Sequence, residues 1–278
     1  VDLGMFKERL TLTAEYYDKV SDDIITSIPI PYSVGSIPST ITTNAASVKN
    51  NGIELTLGYK KPGKTFSYDI NANFSTLKNK VLKLGGANNP IYGAGSKTEV
   101  GRSVGDLYGY QTEGLFQTDA EVAAHAFQSA STKPGDVKFK AQDSKNENDH
   151  SYHLTDANDR TYLGSTIPKY YYGVNFNADY RHFDFSMFWQ GNAGNKVFNG
   201  VYQALMTGQY GNQHKDELNF WTSTNTKTTI PRPIIGDPNG NNRFSDRFVE
   251  NGSYIKLQNL QIGYNVPLSV FGSKKIFS

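Results

Sequence analysis

Residues 66–74 read Phe66-Ser67-Tyr68-Asp69-Ile70-Asn71-Ala72-Asn73-Phe74. In an extended strand, successive side chains point to opposite faces. Phe66, Tyr68, Ile70, Ala72 and Phe74 therefore share one face, which is wholly apolar. Ser67, Asp69, Asn71 and Asn73 share the other, which is polar enough to meet water. A soluble antiparallel sheet can carry one such strand. Recurrence decides the matter, because the same alternation returns in long, aromatic-rich segments at 5–18, 51–60, 170–181, 183–191 and 253–266. Strands with lipid on one face and water on the other have this pattern, so the sequence predicts an all-β fold: part of an antiparallel transmembrane β-barrel.

The segments refine the reading. Ile53, Leu55, Leu57 and Tyr59 alternate with Glu54, Thr56 and Gly58; Phe183, Phe185, Met187 and Trp189 line one face of the segment 183–191. In 253–266 the alternation slips near Gln258–Asn259, which predicts a β-bulge. A further strand is expected to open at Ile276, giving about seven in all. Connector lengths alternate too. The links 19–50, 78–169 and 192–252 are long, while 61–64, 181–183 and 267–275 are short. Bacterial barrels put short turns at the periplasmic end and long loops outside. The insert 78–169 holds two strand-like stretches, 105–116 and 135–141, expected to pair with each other outside the wall. Thr118-Asp119-Ala120-Glu121 between them has the form of a capping box opening a short helix to about residue 127.

Composition agrees with this reading. The chain has 278 residues, a net charge of +2, Tyr 18 and Phe 16. Near-neutral charge and the lack of a basic run argue against nucleic acid. Mean hydropathy is −0.54, and no stretch approaches the roughly 18 apolar residues of a spanning helix. Barrel strands escape that criterion, since only half their residues are apolar. With Cys 0, disulfides, thiol chemistry and Cys-type zinc sites are excluded. The chain opens and closes inside strand patterns, as expected of a fragment of a longer protein.

The motifs and their order resemble a known family. They are Asn51-Gly52-Ile53-Glu54-Leu55; 105–116 followed by Thr118–Val122; Pro134-Gly135-Asp136-Val137-Lys138-Phe139-Lys140; Asp159-Arg160-Thr161-Tyr162-Leu163-Gly164; Ile167-Pro168-Lys169-Tyr170; Phe188-Trp189-Gln190-Gly191; and Asn251–Leu260 with Gly263-Tyr264. Together they look like the C-terminal barrel region of the SusC/RagA family of TonB-dependent outer-membrane transporters. The resemblance implies a plugged barrel of about 22 strands that imports oligosaccharide or peptide. It also implies a SusD-like surface lipoprotein as lid, and TonB acting through an N-terminal part outside this chain, as the plug would be. On this reading 1–278 is barrel and 78–169 is an extracellular insert. Two other classes compete with it: an outer-membrane structural or adhesion barrel, and a soluble carbohydrate-binding β-sandwich.

Candidate chemistry is sparse. In the family the stretch after Lys140 often resembles an acidic cation loop. Here it contains Asp143 and Asp149 but lacks the glycine of an EF-hand turn, so calcium is a weak candidate and a polar loop tip the better reading. His150 and His153 sit in a loop without a helix to orient them for metal. Gly93-Ala94-Gly95-Ser96-Lys97 lacks phosphate-loop spacing. No nucleophile elbow occurs, so no enzymatic activity is expected. Tyr170, Tyr171 and Tyr172, at a strand end, read as an interfacial girdle. Trp221 is the expected ligand or partner contact. Asp69, Asn71, Asn175 and Asn177 are the wall residues expected to face hydroxyl-rich or peptide cargo.

Overall fold

A computed structural model describes residues 1–30, 33, 35, 40–208 and 211–267. Its strands are β1 (Asp2–Met5), β2 (Leu10–Pro29), β3 (Thr40–Lys61), β4 (Phe66–Thr76), β5 (Lys78–Lys83), β6 (Ile91–Gly93), β7 (Ser96–Thr98), β8 (Asp106–Tyr110), β9 (Thr112–Leu115), β10 (Val137–Phe139), β11 (Arg160–Gly164), β12 (Tyr170–Tyr180), β13 (Phe183–Ala193), β14 (Lys196–Phe198), β15 (Val249–Asn251) and β16 (Tyr254–Tyr264). One antiparallel sheet runs β1-β2-β3-β4-β12-β13-β16, with β5 also paired to β3. Among the described residues, β1 and β16 are its two edges. The strand expected from Ile276 lies outside the described residues.

Register carries the alternation across the whole sheet. Leu10, Tyr59, Ile70, Phe176, Met187 and Leu260 stand side by side from β2 to β16. The next row is Leu12, Leu57, Ala72, Val174, Trp189 and Leu257. This apolar face is not covered by the rest of the chain: Leu57 is 47% exposed, Leu260 55% and Ile262 70%. Its rings touch each other, Tyr68 against Phe176 at 6.3 Å and Phe176 against Phe185 at 5.9 Å. A soluble sandwich would bury these side chains under a second sheet. The buried clusters instead lie beyond the wall, around Val137 and Phe139, around Val81 and Leu84, and around Met206 and Phe248.

The bulge forms where the alternation slips. Phe188 pairs with Asn259 and Trp189 with Leu257, so Gln258 is the extra residue. It restores Leu257 and Ile255 to the apolar face after Leu260. The short connections, Phe6–Arg9, Pro62–Thr65 and Arg181–His182, gather at one end and bond to one another: Lys60 N donates to Arg9 O and Arg181 N to Thr65 O. Among the described residues, the long connectors leave from the other end.

Four expectations are corrected. The segment 5–18 is not one strand, because the chain turns at Phe6–Arg9 and β1 pairs back on β2. The segment 19–50 is not a free loop, because β2 and β3 pair as far as Pro29 with Thr40. At about 3.3 Å per residue, strands of 20 and 22 residues far exceed an apolar band about 25 Å tall, so the hairpin stands well clear of it. In its upper half Ile24, Ala46 and Val48 pack with Val81 and Leu84, but register shifts between Ser21 and Ile25 break the alternation, so periodicity alone reads it as loop. Next, Lys78–Lys83 continues the main sheet against β3, so the insert proper begins after Lys83. Finally, only the second half of 105–116 pairs with 135–141, Leu115 with Val137. The first half pairs with β11, Tyr110 opposite Arg160, because β11 offers it a longer edge. Thr118 caps the helix Asp119–Ala124, accepting from Glu121 N.

Since Ile70 sits mid-strand on the apolar face and Asn71 on the polar one, Ile70→Arg in the full-length protein should cost about 2–4 kcal/mol of folding stability in bilayers. Asn71→Arg should cost about 1 kcal/mol or less on the same scale. Urea titration of refolding into lipid vesicles measures both; equal penalties would mean that the faces are misassigned.

Candidate functional site

The polar face of the wall brings the predicted residues together. Asp69 Oδ2 accepts from Asn71 Nδ2 at 3.2 Å and from Asn177 Nδ2 at 3.0 Å. Asn175 lies opposite Asn71 in the neighbouring strand. One row away, Ser67 donates to Asp179 at 3.1 Å. Gly58 makes room for this packing: a Cβ there would lie 2.5 Å from Thr11 Oγ1 and 2.9 Å from Asn71 Oδ1. The result is a field of amides, hydroxyls and carboxylates that offers donors and acceptors in many directions. Phe188 interrupts it, since register places that ring beside Asn175 and Asn259.

The three tyrosines do not act together. Consecutive strand residues cannot share a face. Tyr170 and Tyr172 fall on the apolar side, Tyr170 stacked on Phe74 at 5.9 Å. Tyr171 falls on the polar side, paired with Ser75 and Asn192. Tyr17, opposite Gly52 on that same side, donates its hydroxyl to Thr76 O at 2.8 Å. Tyr17 and Tyr171 thus share the polar side at the long-loop end, a grouping that residue type alone does not reveal and strand parity does.

Trp221 stands away from the wall. Its ring lies against Gly135, where a Cβ would come within 2.4 Å of it. It packs on the Tyr110–Leu115–Val137–Phe139 cluster, and its Nε1 donates to Gln117 Oε1 at 3.0 Å. These contacts give Trp221 a packing role within the loops. Asp143 and Asp149 are used locally: Asp143 accepts from Lys145 N, and Asp149 from the Ser151 backbone N and hydroxyl. His150 Nδ1 meets His125 O, and His153 stacks on Phe127 at 4.4 Å. Among the described residues, no three His, Asp or Glu side chains gather as metal ligands. Gly93 and Ser96 close the β6–β7 hairpin, and Lys97 lies 4.9 Å over the Tyr108 ring.

The loops form one folded body. Two connectors far apart in sequence interlock through buried polar groups. Asp136, 1% exposed, accepts from Arg232 Nε at 2.9 Å and Nη2 at 2.8 Å, and from Asn241 Nδ2 at 3.0 Å. Asn239 accepts from Thr132 Oγ1 and donates to Val137 O; Asn241 Oδ1 accepts from Val137 N. Asp237 accepts from the Asn241 and Asn242 backbones, closing the turn. Asp159, equally buried, gathers Gln142 N, Thr155 N and the Tyr152 hydroxyl. Burial together with the Asp156 carboxylate pushes the Tyr110 hydroxyl up to about 12.

No protein-family model matches the chain. It is 29% identical to "TonB-dependent receptor P3" of Formosa agariphila over 98% of its own length and 27% of that protein's. It is 22% identical to "TonB-dependent receptor SusC" of Bacteroides thetaiotaomicron over 95% of its length and 25% of SusC. Over nearly its whole length the chain is thus similar in sequence to TonB-dependent receptors. Among solved structures, that of the RagAB peptide transporter matches 98% of this chain and 29% of that chain, at TM-score 0.78 and 22% identity. The "open-open" RagAB peptide importer matches at TM-score 0.76. The sheet is therefore part of the TonB-dependent barrel fold, and the chain spans about a quarter of the length of the curated receptors it matches.

Two outcomes follow for the loop body of such a receptor. Asp136→Ala leaves Arg232 without its carboxylate and should destabilise the loop body by about 3–5 kcal/mol, read as faster amide exchange at 137–139. His125, 1% exposed, is held below its ordinary range by burial, which outweighs the opposing pull of the Ala126 carbonyl. The neutral ring is the folded form. Its contribution is full above the ordinary histidine range and is lost as pH falls toward the lowered folded value. Acidification from about pH 7.5 to about pH 5 should loosen the Phe116 and Ala126 amides, and His125→Phe should flatten that response.

Proposed function

We propose that this chain supplies wall and loops to an outer-membrane, TonB-dependent active transporter. The transporter takes up large nutrients, oligosaccharide or peptide, together with a SusD-like surface lipoprotein. The observation that carries the reading is a continuous sheet with an exposed apolar face and a hydrogen-bonding polar face, whose connectors 84–169 and 194–253 interlock at one end. Lipid covers the first face and the lumen hydrates the second. The fused loops form the extracellular rim on which a lid protein sits. Names of relatives point the same way: SusC is a TonB-dependent receptor and RagAB a peptide transporter or importer.

On this reading the work is binding and gating, without covalent chemistry. The Asp69–Asn71–Asn177 cluster presents weak, multidirectional polar contacts that let cargo slide. Energy enters through TonB acting on parts of the receptor outside this chain. Loss of one wall contact should slow passage modestly, whereas loosening the loop body should release the lid.

Fractionation of cells carrying the full-length gene, followed by pull-down on the barrel, tests the proposal. Recovery in the outer membrane with a surface lipoprotein is expected. Asp136→Ala should cut lipoprotein recovery several-fold, while Asn71→Leu should leave it intact and lower uptake. An outer-membrane barrel that captures no lipoprotein and supports no energised uptake would place the chain in a structural or adhesion protein.

A further inference from the structure

Register locates a cleft on the outward face of the sheet, just past the aromatic belt at the long-loop end. Tyr16, Ile53, Thr76 and Tyr170 form the last outward row of the wall; Tyr16 pairs with Ile53 and Thr76 with Tyr170. Above them the outward positions are Asn51 beside Lys78, then Lys49 beside Lys80. A cleft of about 520 Å³ opens here, with Tyr16, Ile53 and Tyr170 below and Lys78, Asn79 and Lys169 above. A second cleft of about 470 Å³ shares Lys78, Asn79, Ser103, Ser165 and Lys169 with the first and adds Lys80 and Lys196. The two form one continuous recess.

The charge of the recess is one-sided. Among the described residues, none of Lys78, Lys80, Lys169 and Lys196 has a carboxylate within ion-pair distance; Lys49, the neighbour of Lys80, is already paired with Asp18 at 2.7 Å. Asp106, the acidic residue in the lining, is 5% exposed and held by Arg102 at 3.2 Å. Uncompensated ammonium groups thus stand directly above an apolar, tyrosine-edged floor that continues down the lipid-facing surface. Tyrosine at such a level has its ring in hydrocarbon and its hydroxyl among headgroups. Basic recesses at this depth suit lipid phosphates.

We infer that this recess binds a phosphorylated lipid headgroup, its phosphates among Lys78, Lys80, Lys169 and Lys196 and its acyl chains on the Tyr16–Ile53–Tyr170 belt. Ser103 and Ser165 line the recess beside these lysines. The inference rests on the outer-membrane reading above. Bound lipid would anchor the insert to the membrane surface, because Lys78 belongs to β5, while Ser103 and Ser165 belong to the connector that leaves it and returns to β12.

The test uses the full-length receptor, purified from outer membranes in mild detergent and stripped of lipid. Bisphosphorylated lipid A, its dephosphorylated form and inorganic phosphate are titrated by native mass spectrometry. Bisphosphorylated lipid A should bind, and K78Q/K80Q/K169Q/K196Q should weaken it at least tenfold. K60Q/K64Q, at the short-turn end, should bind as wild type does. The dephosphorylated lipid should bind as weakly to wild type as to the fourfold variant. Unaltered barrel migration on unboiled gels keeps a folding defect apart from lost binding. Independently, Lys78 and Lys169 should resist acetylation in lipid A membranes and react in detergent. Equal lipid affinity of the fourfold variant and wild type, or inorganic phosphate binding as tightly as the lipid, would overturn the inference. Such a result with wild-type receptor in the outer membrane would reject the recess alone; absence of the receptor from that membrane would reject both readings.

Discussion

Backbone pairing between strands of strictly two-sided character is the constraint on which the rest depends. In hydrocarbon no water can satisfy an N–H or C=O, so each strand must be bonded on both sides. The strands from β3 to β13 meet this, as β12 shows with full-length pairings, Tyr170–Ala193 through Tyr180–Phe183 on one side and Thr76 through Phe66 on the other. Pairing fixes register, and register fixes which residues line up. A slip of one residue would turn every side chain to the wrong face. The Gln258 bulge shows the constraint locally, since one extra residue is inserted to keep apolar side chains on the apolar side.

Above the membrane level the physics changes. Water is available, and the loops carry small apolar cores of their own. What joins these cores is a set of buried carboxylates and amides, Asp136, Asp159, Asn239 and Asn241, each satisfied by several partners. Such networks are stiff when complete and costly when broken. In the proposed transporter, such a rim on a hydrated wall would give a lid protein a firm base, and the proposed lysine recess would be where that rim meets the membrane.

How much of this was legible varied with the range of the interaction. Period-two alternation is local, so β4, β12, β13 and β16 fell within a residue or two of their predicted limits, and the slip at Gln258 was visible. The tall β2–β3 hairpin is not, because register shifts between Ser21 and Ile25 break the alternation and Ile24, Ala46 and Val48 find their apolar partners, Val81 and Leu84, far along the chain. The contact of Asp136 with Arg232 spans two connectors, and nothing in either segment announces it. Trp221 looked available because an aromatic in a loop is conspicuous, yet Gly135, far away in sequence, gives it a seat. Asp69, Asn71, Asn175 and Asn177 were grouped correctly by parity; Tyr171 was misgrouped by neglecting it.

The central claim is that odd and even residues of β4 see different solvents. The chain has Cys 0, so single cysteines can be placed one at a time at positions 67–73 of the full-length receptor in outer membranes without a background thiol from this segment. A small water-soluble maleimide should label positions 67, 69, 71 and 73 and spare 68, 70 and 72, while a lipid-borne quencher should act on the reverse set. Uniform labelling along the strand, or labelling with the opposite phase, would contradict the account.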